Sequence, residues 1–255
     1  MAGAGRARAR TGGARRVQGG VALAVVVLTG AVAGCGTGTP GGDGTAVTSS
    51  ATSSASGTPE PTPEETPEES PTPQVPTDVT ADVLLPDGSF EYANPGTEPA
   101  SATSWVLPQD CGEVPLPASA TASDGLRYGD GRQESVVGLH QVVVTADAAA
   151  ATAVADEVAA AFARCAPPTE NPGAYAVEDV AVGAQGTGLA WSYYRTGEVR
   201  DDDIGTYMVV TRRGNAVTLV GTLSGEPSVA VARTDVTALA QQAWELLCRY
   251  DAEGC

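Results

Sequence analysis

Thr206-Tyr-Met-Val-Val-Thr-Arg212, then Arg213-Gly-Asn215, then Ala216-Val-Thr-Leu-Val-Gly-Thr-Leu223 is the stretch that decides the fold. Two runs rich in Val, Thr, Leu and Tyr flank a glycine and an asparagine. Those two residues tolerate the positive φ of a short turn, so the segment reads as an antiparallel hairpin. Upstream, strands are expected near Tyr175 to Val182 and over Leu189 to Arg195, with earlier ones at Leu126 to Tyr128 and Ser135 to Thr145. Between these sets, Asp147 to Arg164 repeats Val154, Val158, Ala161 and Phe162 at helical spacing, with Thr145 or Asp147 placed to cap its start. Downstream, a last helix is expected from about Thr234 to Tyr250, burying Val236, Leu239, Ala240, Ala243, Leu246 and Leu247. The expected class is α+β: an antiparallel β-sheet with two α-helices packed on one face, after a disordered tether. Each half runs strands then a helix ending in a cysteine, Cys165 in one and Cys248 in the other.

Composition changes sharply ahead of this domain. Residues 1–34 read as a signal segment: Arg6, Arg8, Arg10, Arg15 and Arg16 precede an apolar run, which ends in Val32-Ala33-Gly34-Cys35. Small residues leading into a cysteine form the lipobox pattern, in which Cys35 takes a lipid and becomes the mature N-terminus. An uncleaved membrane anchor is the competing reading, although Gly19, Gly20, Gly30 and Gly34 weaken the run as a membrane helix. The pair Arg15-Arg16 also admits a twin-arginine export signal. Residues 35–78 form a Thr/Pro/Glu-rich tether with almost no large apolar side chain, too little to offset its ordering entropy. Its prolines favour extended polyproline II and its glutamates repel one another. Residues 79–255 are then one globular domain.

Charge narrows the partners. The chain carries 31 acidic residues against 14 basic ones and a formal net charge of −17, and none of the basic residues is a lysine. All acidic residues follow Cys35. Such a surface repels phosphates, so nucleic acid is excluded as the expected partner. The membrane is reached through the lipid on Cys35, and the location expected is the extracytoplasmic face of the cell membrane.

Four cysteines remain after Cys35: Cys111, Cys165, Cys248 and Cys255. In an oxidising compartment they read as two disulfides with three possible connectivities. A zinc site lacks its usual spacing, with no CxxC pair and a single histidine, His140. On a continuous helix Cys248 and Cys255 stand about 10.5 Å apart, so joining them requires the chain to turn after Tyr250, which Gly254 permits. The favoured pairing is therefore Cys111–Cys165 with Cys248–Cys255.

No catalytic constellation is visible. His140 lies in a strand pattern with no GxSxG nucleophile motif and reads as a structural histidine. Asp201-Asp202-Asp203 fails the calcium-loop pattern and reads as a solvated loop. Gly183, Gly186 and Gly188 are not followed by a helix and read as turn glycines rather than a dinucleotide fingerprint. No catalytic residue, metal or cofactor is expected.

Several of these segments also form a recognisable set. The lipobox, the Thr/Pro tether, Ala81-Asp-Val-Leu-Leu-Pro86, Trp105 before Cys111, Arg164-Cys165-Ala166 after an alanine-rich helix, and Val209-Val-Thr-Arg-Arg-Gly-Asn-Ala-Val-Thr-Leu-Val220 resemble actinobacterial sensor-domain lipoproteins. These are similar to the extracellular domain of mycobacterial PknH-type receptor kinases. The resemblance covers roughly Ala81 to Cys255. It implies an antiparallel sheet with two helices, two disulfides, and a cleft for an unknown ligand; it carries no catalytic motif.

The expected cleft lining comes from the strands Leu189 to Arg195 and Thr206 to Arg212: Trp191, Tyr193, Tyr194, Arg195, Tyr207 and Arg212. Alternation puts Trp191 and Tyr193 on one face and Tyr194 on the other. Arg195 and Arg212 offer planar donor forks to an anionic group. The function expected is a non-enzymatic sensor or ligand-binding lipoprotein of the envelope. An envelope protein-interaction or structural lipoprotein without a small-molecule ligand is the alternative.

Overall fold

The computed structural model describes residues 75–101, 103–167, 169 and 172–255. The expected signal segment, Cys35 and the expected tether up to residue 74 lie outside the described residues.

Among the described residues, nine strands and two α-helices make up the domain. They run β1 (Thr97–Pro99), β2 (Ser104–Trp105), β3 (Val114–Pro115), β4 (Ala120–Tyr128), β5 (Val137–Thr145), α1 (Ala148–Phe162), β6 (Ala174–Asp179), β7 (Ala184–Ser192), β8 (Gly205–Arg213), β9 (Ala216–Ser224) and α2 (Val229–Leu246). Seven strands form one sheet in the order β1-β4-β5-β9-β8-β7-β6. All of its pairings are antiparallel. The short strands β2 and β3 pair separately. The class is α+β, as expected.

The hairpin of β8 and β9 sits at the middle of the sheet, with Arg213 opposite Ala216 across a two-residue turn. Only Gly214 has a positive φ there, at 54°. A side chain at that position would run into the Tyr250 carbonyl, so the glycine is required twice over. Asn215 acts differently: its amide donates to the carbonyls of Thr145 and Pro76, at 2.8 and 3.3 Å.

The helices correct one expectation: they pack on opposite faces of the sheet, not on one. Met208, Val210, Val217, Leu219 and Leu189 meet the Val154, Val158 and Phe162 side of α1. Tyr207, Val209, Val220 and Ala190 meet Val229, Val236, Ala240 and Ala243 of α2. Topology supplies the reason. α1 is the crossover from β5 to the far edge strand β6, so it lies across one face. Strands β6 to β9 then meander back to pair with β5, leaving the second face for α2 to cover. Two-sided burial follows, and β5 is buried along its whole length.

Element ends shift in physically readable ways. Asp147 caps α1 by accepting from the Ala150 amide at 2.8 Å. α2 begins five residues earlier than expected because Ser228 caps it, accepting from the Val231 amide. It tightens into a 3₁₀ turn over Leu247–Tyr250. Strand β7 starts before the expected Leu189 and ends at Ser192, so Tyr193, Tyr194 and Arg195 belong to the loop beyond it. The folded part also includes residues ahead of Val79. The Tyr250 hydroxyl donates to the Asp78 carbonyl at 2.7 Å, and Val75 packs against the buried cluster that includes Leu247 and Tyr250, so residues 75–78 contact the folded domain.

Cys111 is bonded to Cys165, and Cys248 to Cys255. The first bond ties the 3₁₀ turn Gln109–Cys111 to the end of α1. His140 is fully buried on β5. The Leu85 amide donates to its Nδ1 at 3.0 Å, and its Nε2 lies 2.9 Å from the Thr218 hydroxyl.

Candidate functional site

On the face that α1 covers, β7 ends at Ser192 opposite Gly205, the first residue of β8. An open cleft of about 600 Å³ lies there. Register explains its sheet side: Trp191 stands opposite Thr206, and Leu189 opposite Met208, so Trp191, Thr206 and Met208 project to the same face. The Cys111–Cys165 bond supplies the rest, because it draws Leu107, Pro108 and Asp110 beside Pro167. Pro172 and Leu223 complete the apolar part of the lining.

Aromatic rings organise the site. Tyr175 on β6 is the cross-strand partner of Trp191, and the two rings stack with centroids 5.5 Å apart. Tyr193 meets Trp191 edge-on at 4.8 Å, and Tyr194 meets Tyr193 edge-on at 6.0 Å. The Tyr175 hydroxyl donates to Asp110 Oδ2 at 3.0 Å. Burial, reinforced by that acceptor and its charge, pushes the Tyr175 phenol well above its ordinary range. Burial lifts Tyr193 to about 12, so both tyrosines are neutral donors at physiological pH. The Tyr193 hydroxyl sits near Thr206 without a hydrogen bond of good geometry to any described residue. Asp110 is the only charged residue among the described lining residues.

The six residues expected to share a cleft divide. Trp191, Tyr193 and Tyr194 come together at it, with Tyr194 the most exposed. Arg195 does not join them: it turns to Asp203 in a neighbouring shallow depression with Ser192. Asp203 is buried and also accepts from the Arg200 amide, and Asp201 pairs with Arg233, so the acidic triplet is partly built into the fold rather than a solvated loop. Tyr207 faces the other side of the sheet, beneath α2. Its hydroxyl donates to Glu178, and burial followed by that carboxylate drives its pKa upward. Gly188 leaves the room that this hydroxyl occupies. Arg212 shares the cleft's face but lies at the far end of β8, where its guanidinium donates to Gln185.

Sequence reasoning missed Leu107, Pro108, Asp110, Pro167 and Met208. For four of them the disulfide was the signal: Leu107, Pro108 and Asp110 lie within four residues before Cys111, and Pro167 follows Cys165 by two residues. Comparison with protein-family models, curated proteins and solved structures finds no match for the chain.

Proposed function

We propose that this protein is a ligand-binding lipoprotein of the cell envelope, held to the extracytoplasmic face of the membrane by a lipid on Cys35 and acting without turnover. The cleft at Trp191 is the observation that carries the binding reading. Its volume, about 600 Å³, lies within the range of small-molecule sites. It combines apolar walls with a few polar side chains, those of Gln109, Asp110, Thr206 and Thr222. The resemblance to sensor-domain lipoproteins and the tether ahead of residue 75 support the same reading.

A thermal-shift screen of envelope lipids, glycans and peptidoglycan fragments tests it, since a ligand specific for the native state raises its apparent stability. The expected result is a hit whose shift disappears in Trp191→Ala. A hit unaffected by that substitution places binding elsewhere and overturns the site.

A second reading, protein interaction without a small ligand, is favoured by one observation. Tyr92 and Val231 are exposed together beside Pro227, with Glu134 and Glu226 at the margin. Crosslinking from Tyr92 to one defined envelope protein, with no hit in the ligand screen, would favour it.

A further inference from the structure

We propose that the cleft at Trp191 takes an organic ammonium group carried on a compact apolar body, with the cation over the aromatic rings and beside Asp110. The inference rests on the binding reading above and names its ligand class.

Charge is the first argument. Arginines in this domain are mostly engaged with carboxylates: Arg127 with Glu98, Arg195 with Asp203, Arg213 with Asp251, Arg233 with Glu178 and Asp201. Asp110 has no such partner among the described residues. Among the described residues, its one side-chain hydrogen bond comes from a neutral phenol, that of Tyr175. No described lining residue is basic, and Pro168-Thr169-Glu170-Asn171, which joins Pro167 to Pro172, has no basic residue in its sequence. An anion would meet Asp110 with no cationic donor, on a chain of net charge −17. A cation gains a carboxylate that is already held in place.

Shape and polarisation supply the second argument. Trp191, Tyr193 and Tyr194 line the cleft as a contiguous aromatic set with centroids 4.8 and 6.0 Å apart, and Tyr175 stacks on Trp191 at 5.5 Å. Ring faces carry negative quadrupolar charge and attract ammonium groups, tryptophan most strongly. Tyr175 joins the two features: its ring stacks on Trp191, and its hydroxyl fixes the Asp110 carboxylate. Leu107, Met208 and Leu223 supply apolar surface for the rest of the ligand.

The experiment titrates the purified full chain with benzyltrimethylammonium, choline and dimethylbutanol, the last being the uncharged isostere of choline. Calorimetry and proton NMR are the readouts. Saturable binding is expected in that order of affinity, with choline at least about tenfold tighter than dimethylbutanol. Asp110→Asn should weaken both cations by about tenfold and leave dimethylbutanol unchanged. Trp191→Phe should retain part of the affinity that Trp191→Ala loses. Should Asp110→Asn fail to fold, salt serves on the unaltered protein, because screening weakens a cation and spares a neutral ligand. Dimethylbutanol or a neutral sugar binding as tightly as choline would overturn the ammonium assignment and leave the cleft standing as a binding site. No binding of either cation overturns it too. The broader reading then falls only if the envelope screen also lacks a Trp191-dependent hit.

Discussion

The Leu85 main-chain amide donates to His140 Nδ1, which fixes the tautomer of the only histidine in the chain. With Nδ1 accepting, the ring proton is on Nε2 and is donated to the Thr218 hydroxyl. This histidine works as a neutral joint between β5, β9 and the segment before β1, not as an acid or base.

Acid sensitivity follows from that joint. Burial pushes His140 down to about 3, against an ordinary value near 6.5. Below pH 6.5 the unfolded chain binds a proton that the folded chain refuses, so this contribution to stability is lost as pH falls from about 6.5 toward 3. Urea melts of the protein and of His140→Gln should show the advantage of histidine shrinking by about 1.4 kcal/mol per pH unit below pH 6. A pH-independent difference would refute the assignment.

Removing the Cys111–Cys165 bond should both destabilise the domain and open the cleft. The two residues are 54 apart in sequence, and chain entropy alone assigns a loop of that length about 4 kcal/mol. The paired substitution to serine should lower the unfolding free energy by roughly that amount. It should also increase hydrogen exchange in residues 107–110 and near Pro167. A stable protein with unchanged exchange there would show that the bond does not hold the cleft wall.

Gly214→Ala and Gly254→Ala separate two kinds of glycine. Both positions have positive φ, 54° and 77°, but a methyl group at Gly214 would collide with the Tyr250 carbonyl, whereas one at Gly254 meets nothing within 4 Å. Gly254→Ala should cost about 1 kcal/mol from backbone strain alone. Gly214→Ala should cost about 1–3 kcal/mol more, read from denaturant midpoints. Equal losses would mean the contact is relieved at no expense.

Anchoring predicts a mass. Produced in a lipoprotein-processing bacterium, the chain should begin at Cys35 with an acyl modification and partition into detergent. Cys35→Ala should release it or leave the precursor uncut. An unmodified N-terminus at Met1 in the unaltered protein rules the anchor out.

The hairpin and both helices were legible because their signals are local: glycine at the turn, apolar spacing in the helices, Asp147 at a cap. The side taken by α2 was also written in the sequence, in a less familiar form. Val142-Val143-Val144 and Met208-Val209-Val210 are unbroken apolar runs, the mark of strands covered on both faces. A sheet with helices on one face alone would show polar residues at alternate positions. Half of the residues expected at the site, Trp191, Tyr193 and Tyr194, were readable for the same local reason, since they are near neighbours in sequence. Tyr207 was misplaced because its direction depends on register with another strand: Thr206, not Tyr207, stands opposite Trp191. Asp110 was missed for a longer-range reason, since the Cys111–Cys165 bond and the Tyr175 hydroxyl together carry it to the site.

The position of residues 75–78 has a mechanical meaning. Pro76 is held by Asn215 at the β8–β9 turn, and Asp78 by Tyr250. Trp191 and Thr206 sit at the other end of β8, roughly 25 Å away at the usual rise per strand residue. Traction applied through the upstream chain therefore enters at the pole opposite the aromatic cleft. It is taken first by the central hairpin rather than by the outer strands.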